Sequence, residues 1–335
     1  MQIMSQFMKD IKRWLPGALV SIIAIAAILY FVDLQRLWEA IQSANYGLLA
    51  ISVAMGVVWL ALRAVVWRTI LQEKATYRDS FLTISEGYFL NNIMPFRLGE
   101  IGRAFLLARK SELSFMEVFP TIVIERSLDL VFSAAILLSA ILFVVKTSGA
   151  ETISVIIGVI VVLGLAVLYI LARNSEWTVR QVERFPALQK LAAPFLAGLS
   201  SLTDGRRFLL ILVLMAVNWL WAIFQFFFTI KAFFPAAAFP WALFGIGAAA
   251  FGGAVPSAPG AVGTYEAALG GALALVSSDE ARSVAVAITA HLFNYLITGV
   301  LGIYAFSTEG ETLSSIYRQL RRRQEEKPVE IDPQP

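Results

Sequence analysis

Cysteine is absent from this sequence, and histidine occurs once, at His291. Without thiols there is no disulfide framework and no thiolate metal site. A single imidazole rules out a histidine-built metal centre, and no Ser/His/Asp arrangement can be assembled around it. No glycine-rich phosphate-cradling loop appears either, so no cofactor is expected. Charge is scarce: 15% of residues are Asp, Glu, Lys or Arg, against about 25% in a soluble domain. The net charge is only +3, and no nucleic-acid partner is expected. Apolar residues take the remaining space, at 58% hydrophobic with mean hydropathy +0.72. These values describe an all-α, polytopic transmembrane bundle, because helices satisfy their own backbone groups in lipid.

Apolar runs approaching the ~20 residues that cross a bilayer predict six full spans, near 15–32, 47–67, 119–145, 153–172, 207–230 and 283–306. Residues 1–14 read as a short amphipathic cytoplasmic lead-in, and 307–335 as a charged cytoplasmic tail whose Arg321, Arg322 and Arg323 face anionic lipid heads. Loops assigned to the inside hold 21 Lys and Arg, and loops assigned to the outside hold 4. That bias predicts a multi-pass protein of the cell (inner) membrane with both termini in the cytoplasm. Trp59, Trp67, Trp177, Trp219, Trp221 and Trp241 read mostly as interface anchors.

Two stretches are too broken to be ordinary spans. One contains Pro95, Gly99 and Gly102, and the other Pro256, Pro259, Gly260 and Gly263. Aligning Pro95 with Pro256 brings Gly99 onto Gly260 and Gly102 onto Gly263. Each stretch is expected to form a re-entrant or broken helix pair. The layout is then two repeats, about 15–145 and 153–306, of opposite orientation. Inverted repeats with discontinuous helices place a site where the breaks meet.

Ionisable groups cluster at these breaks and in one span. Arg97, Glu100 and Arg103 follow Pro95, and a helix beginning near Leu98 would turn free amides toward the break, a plausible phosphate seat. Glu125 and Asp129 share a helix face, and Arg126 reaches Asp129 at i+3. Glu266 follows the second break and serves either as a first-turn acid for the helix dipole or as a cation or proton carrier. Arg63 and Glu86 are expected to pair across helices, and His291 to pair with Asn294. Arg109 and Lys110 read as a positive-inside loop.

Three motifs in order carry a resemblance. They are Asn91-Asn92-x-x-Pro95-x-Arg97-x-Gly99-Glu100-x-x-Arg103, then Glu125-Arg126-x-x-Asp129, then Pro256-x-x-Pro259-Gly260-x-x-Gly263-x-x-Glu266. Together they resemble the lysylphosphatidylglycerol synthase transmembrane region, also called the flippase-like family, over roughly residues 15–306. In two-part members this membrane region is associated with moving a lipid between leaflets, and a separate cytosolic domain makes the aminoacyl lipid. These 335 residues leave no room for that domain, so the resemblance implies the translocating half and not an enzyme. The expected partners are membrane lipids, whether anionic, aminoacylated or polyprenyl-phosphate, and a lipid-synthesis enzyme is a further candidate. The substrate-binding candidates are Asn92, Arg97, Glu100, Arg103, Glu125, Arg126, Asp129 and Glu266. The rival expectations are an integral-membrane lipid-modifying transferase and a non-transporting subunit of a lipid-synthesis complex.

Overall fold

The computed structural model describes residues 2–94, 97–144 and 204–309, with scattered residues between 152 and 170; side chains are described from residue 17. Pro95, Trp177, most of the span expected over 153–172 and the tail from 310 onward lie outside the described residues. Among the described residues every long element is a helix: α1 (Gln2–Phe31), α2 (Leu34–Gln42), α3 (Tyr46–Ile70), α4 (Tyr77–Ile93), α5 (Leu98–Lys110), α6 (Phe115–Val144), α7 (Gly205–Phe233), α8 (Phe239–Ala254), α9 (Thr264–Ser277) and α10 (Glu280–Glu309). Side chains of Asp33, Asn45, Thr76 and Asp204 cap α2, α3, α4 and α7 by accepting a first-turn amide, which fixes where each helix starts.

Among the described residues three helices are long and apolar enough to cross a membrane: α3, α7 and the Glu280–Thr308 part of α10. At 1.5 Å per residue, 25 residues of α3 reach about 37 Å, more than the ~30 Å hydrocarbon core. Gly17–Phe31 and Leu34–Gln42 form a further apolar unit bent by 86°. The lead-in expected over 1–14 and the start of the first span lie on the single helix α1.

Both predicted interruptions are present. α4 stops at Ile93 and α5 starts at Leu98; α8 stops at Ala254, and α9 starts at Thr264 after a tight turn over Pro259–Ala261. The two members of each pair pack on each other. Glycine allows the approach: a Cβ on Gly99 would lie 2.1 Å from the Gly87 carbonyl, and one on Gly252 would lie 2.4 Å from the Ala268 Cβ. Long helix, broken pair, long helix therefore occurs twice, as α3, α4–α5, α6 and as α7, α8–α9, α10. The packing is reciprocal, with α3 on α7, α4 on α10 and α8 on α6.

The glycine register read from the sequence does not survive. Gly99 and Gly102 lie inside α5, whereas Gly260 has φ +68° in the turn and Gly263 caps α9 with φ +89°. Matching helix starts instead pairs Arg97 with Gly263. This puts a glutamate at the third helical position of both, Glu100 and Glu266. A carboxylate there faces free amides and the positive end of the dipole, a stronger physical constraint than the spacing of two glycines.

Candidate functional site

The broken pairs meet. The Arg97 Nη2 donates to the Gly253 carbonyl (2.5 Å), so the first break touches the last turn of α8, at the edge of the second. Arg97 itself has φ +53°, a left-handed conformation that turns the chain into α5. Around this contact is a cavity of ≈ 800 Å³. Asn91, Asn92, Arg97 and Glu100 line it from the first pair, and Gly253–Ala261 and Tyr265 from the second. Leu60, Leu130, Phe226, Ile246, Phe293 and Ile297 supply an apolar wall. The space is amphiphilic, lined by guanidinium groups as well as by aliphatic and aromatic carbon. A second hollow of ≈ 870 Å³ between α2 and the α9–α10 turn is lined by locally paired charges and includes neither break.

A network of arginines and carboxylates forms the polar wall. Glu125 is fully buried and holds three cations at once: Arg63 at 2.6 Å, Arg103 at 2.8 Å and Arg126 at 2.6 Å. Arg63 also grips Asp129 with both terminal nitrogens, and Trp219 Nε1 donates to the same carboxylate at 3.3 Å. Arg126 reaches Asp129 at 3.2 Å and Glu100 at 3.9 Å, and Arg97 reaches Glu100 at 3.8 Å. Four guanidinium groups thus share three carboxylates, leaving one positive charge in excess beside the cavity. Buried ions persist only when paired and hydrogen-bonded; Arg63, Arg97 and Arg126 all line the space, and Arg97 and Arg126 are the more exposed of the three.

The second break carries the other polar centre. His291 on α10 places Nδ1 2.6 Å from Glu266 Oε1 and Nε2 2.9 Å from the Gly260 carbonyl. Glu266 Oε2 also accepts from the Gly263 amide at 2.7 Å. Tyr265 and Tyr295 flank the imidazole with ring centroids at 4.3 and 4.8 Å. Buried Ser21 on α1 clamps the turn, donating to the Val262 carbonyl (2.7 Å) and accepting from the Ala258 amide (2.9 Å).

The predicted residues separate into two groups. Asn92, Arg97, Glu100, Arg126 and Asp129 line the cavity, as do Pro256, Pro259 and Gly260. Arg103 and Glu125 lie behind its wall, with Arg103 Cζ 4.1 Å from the centre of the Trp67 ring. Glu266 stands behind His291, which does line the space. Four expectations are corrected. Arg63 pairs with Glu125 and Asp129, not Glu86, whose partner is Lys110 at 2.5 Å; Lys110 is therefore not simply a loop charge. His291 bonds Glu266 and Gly260, not Asn294, because its ring points back at the break. Trp67 is no interface anchor: it is wholly buried and donates to Thr121 at 3.0 Å. Sequence reading missed Ser21 and Tyr295, and took Trp219, which lines the cavity and bonds Asp129, for an interface anchor. Nothing local marks Ser21 or Tyr295, and only the break they contact gives them meaning.

Known proteins resemble this chain in sequence. The family model described as "Lysylphosphatidylglycerol synthase TM region" matches residues 14–302. A UPF0104 membrane protein of Methanothermobacter thermautotrophicus is 21% identical over 92% of this chain and 97% of its own length. A UPF0104 membrane protein of Methanocaldococcus jannaschii is 27% identical over 38% of each chain. The glycosyltransferase AglD of Haloferax volcanii is 23% identical over 42% of this chain but only 23% of its own length. The chain thus spans well under half the length of these last two relatives. No solved structure matches. With the model covering most of its length, the chain belongs to the lysylphosphatidylglycerol synthase TM region family and is an integral, multi-pass membrane protein.

Proposed function

We propose that this protein moves a lipid with an anionic phosphate headgroup between the leaflets of the cell membrane. The observation that carries the reading is the meeting of two interrupted helix pairs over an amphiphilic cavity with one uncompensated positive charge. Arg97 and Arg126 bind the phosphate, guanidinium being suited to paired contacts with phosphate oxygens. Glu100 and Asp129 aim those arginines and balance their charge while the cavity is empty. The apolar wall takes the first methylenes of the acyl or prenyl chains, and the breaks act as gates. A free phospholipid, an aminoacylated one and a polyprenyl phosphate share this chemistry.

Topology enters the proposal too. Six full spans with both termini inside make the halves inverted, so the first break opens from the cytoplasm and the second from outside. With no nucleotide-binding motif in the sequence, net movement is passive or coupled to an ion gradient. AglD's name denotes transfer chemistry, but it aligns over less than a quarter of its length.

Leaflet exchange tests this. Purified protein goes into liposomes with fluorescent phosphatidylglycerol, and an impermeant quencher reads the outer leaflet over time. Wild type is expected to move the probe, while Arg97→Ala and Glu100→Gln express normally and do not. Wild-type rates in both variants remove these roles. A new lipid species by mass spectrometry points to a transferase instead. Inactivity with stable co-purification of a synthase points to a non-transporting subunit.

A further inference from the structure

We infer that His291 and Glu266 form a proton-binding dyad that latches the second break, making the proton the coupling ion for the lipid movement proposed above. A neutral imidazole has one N–H and one lone pair, yet both ring nitrogens of His291 face oxygen. Nε2 lies 2.9 Å from the Gly260 carbonyl, which can only accept, so Nε2 carries a hydrogen. Nδ1 then lies 2.6 Å from a Glu266 carboxylate oxygen. With a neutral ring and an ionised carboxylate, two lone pairs would meet at that distance. These distances call for one more proton than that state, shared as a short charge-assisted bond. On release the Nδ1–H bond breaks and the proton passes to water, forming an O–H bond; uptake reverses both changes.

The same two side chains hold the backbone of the break. The Nε2–H ties α10 to Gly260, which sits at φ +68°. The Glu266 carboxylate caps α9 through the Gly263 amide. Loss of the proton turns the Nδ1 lone pair against Glu266. Either the ring or the carboxylate must then swing away, and each motion frees a tie on the Gly260–Gly263 turn. Few other groups compete. The ionisable side chains facing the ring are Glu266 and Tyr265 from α9 and Tyr295 from α10; α1 contributes Ser21 at the turn, and α4 contributes Asn91 and Asn92 to the adjoining wall. The counterpart glutamate of the first half, Glu100, is held by Arg97 and Arg126, which keep their charge. One break is latched permanently by cations and the other conditionally by a proton.

The inference rests on the lipid-carrier reading for its purpose but not for its proton count, and the test separates the two. Because His291 is the sole histidine, ¹⁵N-histidine labelling in lipid nanodiscs gives a single pair of ring signals. A spin-label pair across the break, on Val262 and Leu292, reports its opening in the same pH titration. In wild type the distance is expected to change in step with loss of the second ring proton, and Glu266→Gln uncouples the two. A break that stays fixed while the ring titrates overturns the latch, and so does a ring that never changes protonation state. In proteoliposomes, one proton per lipid makes a one-unit pH gradient worth about tenfold in lipid accumulation. In His291→Gln that ratio falls to no gradient response. Coupled NMR and distance changes with no lipid movement would sink the carrier reading and leave the dyad standing. Lipid movement indifferent to pH would do the reverse.

Discussion

Replacing Glu125 by Gln separates the charges that hold this fold from those that face its cavity. Glu125 is wholly buried and bonds three guanidinium groups within 2.8 Å. Their fates differ once it loses its charge. Arg63 keeps Asp129, and Arg126 keeps Asp129 and Glu100. Arg103, 2% exposed, has no other carboxylate among the described residues and is left with the Trp67 ring face. Stripping one partner from a buried pair costs about 3–5 kcal/mol, and because Gln keeps an acceptor oxygen the low end applies. At roughly 2–4 °C per kcal/mol for a domain of a couple of hundred residues, the apparent melting temperature falls by about 10 °C. Glu100 sets the contrast. It is 21% exposed and its contacts are 3.8 and 3.9 Å, so Glu100→Gln costs at most about 1 kcal/mol. Thermal unfolding in detergent, followed by fluorescence-detected size exclusion, compares the two. Adding Arg103→Met to Glu125→Gln recovers part of the loss, since Met can fill the space over Trp67. The reasoning is refuted if Glu125→Gln melts with wild type, or if Glu100→Gln is the worse of the two.

Further outcomes follow from the same geometry. Gly99→Ala puts a methyl 2.1 Å from the Gly87 carbonyl, so α4 and α5 must separate at a cost of about 1–3 kcal/mol; the check is a lower melting temperature. Ser21→Ala leaves the Ala258 amide and the Val262 carbonyl without their partner, costing about 1–3 kcal/mol, and should raise hydrogen exchange at Ala258. In this naturally cysteine-free chain, single cysteines at Arg109 and Asp279 should label from opposite membrane faces with an impermeant maleimide. Labelling from one face would end the inverted arrangement.

Much of this was legible in the sequence, and the physical reason for each success or failure is specific. The breaks near 94–97 and 255–263 showed because proline and glycine interrupt apolar runs that lipid would otherwise force into continuous helix. Arg126–Asp129 showed because i+3 neighbours on a helix meet whatever surrounds them. Arg63–Glu125, 62 residues apart, and Lys110–Glu86 could not show, because helix packing and not sequence spacing brings them together. The glycine register misled because close helix packing and positive φ both select glycine. Gly99 answers the first need and Gly260 the second. A glutamate at the third position of each helix was the better signal, since only the carboxylate answers to the free amides at that end.

The central claim is that the two broken helix pairs touch and must part for a headgroup to pass. Cysteines at Met94 and Gly253, which line the cavity from either side of the contact and leave Arg97 in place, joined by a short bis-methanethiosulfonate, test it. The account predicts efficient crosslinking, arrested movement of fluorescent phosphatidylglycerol, and recovery on reduction. Failure to crosslink, or a crosslinked protein that carries lipid at the uncrosslinked rate, would contradict it.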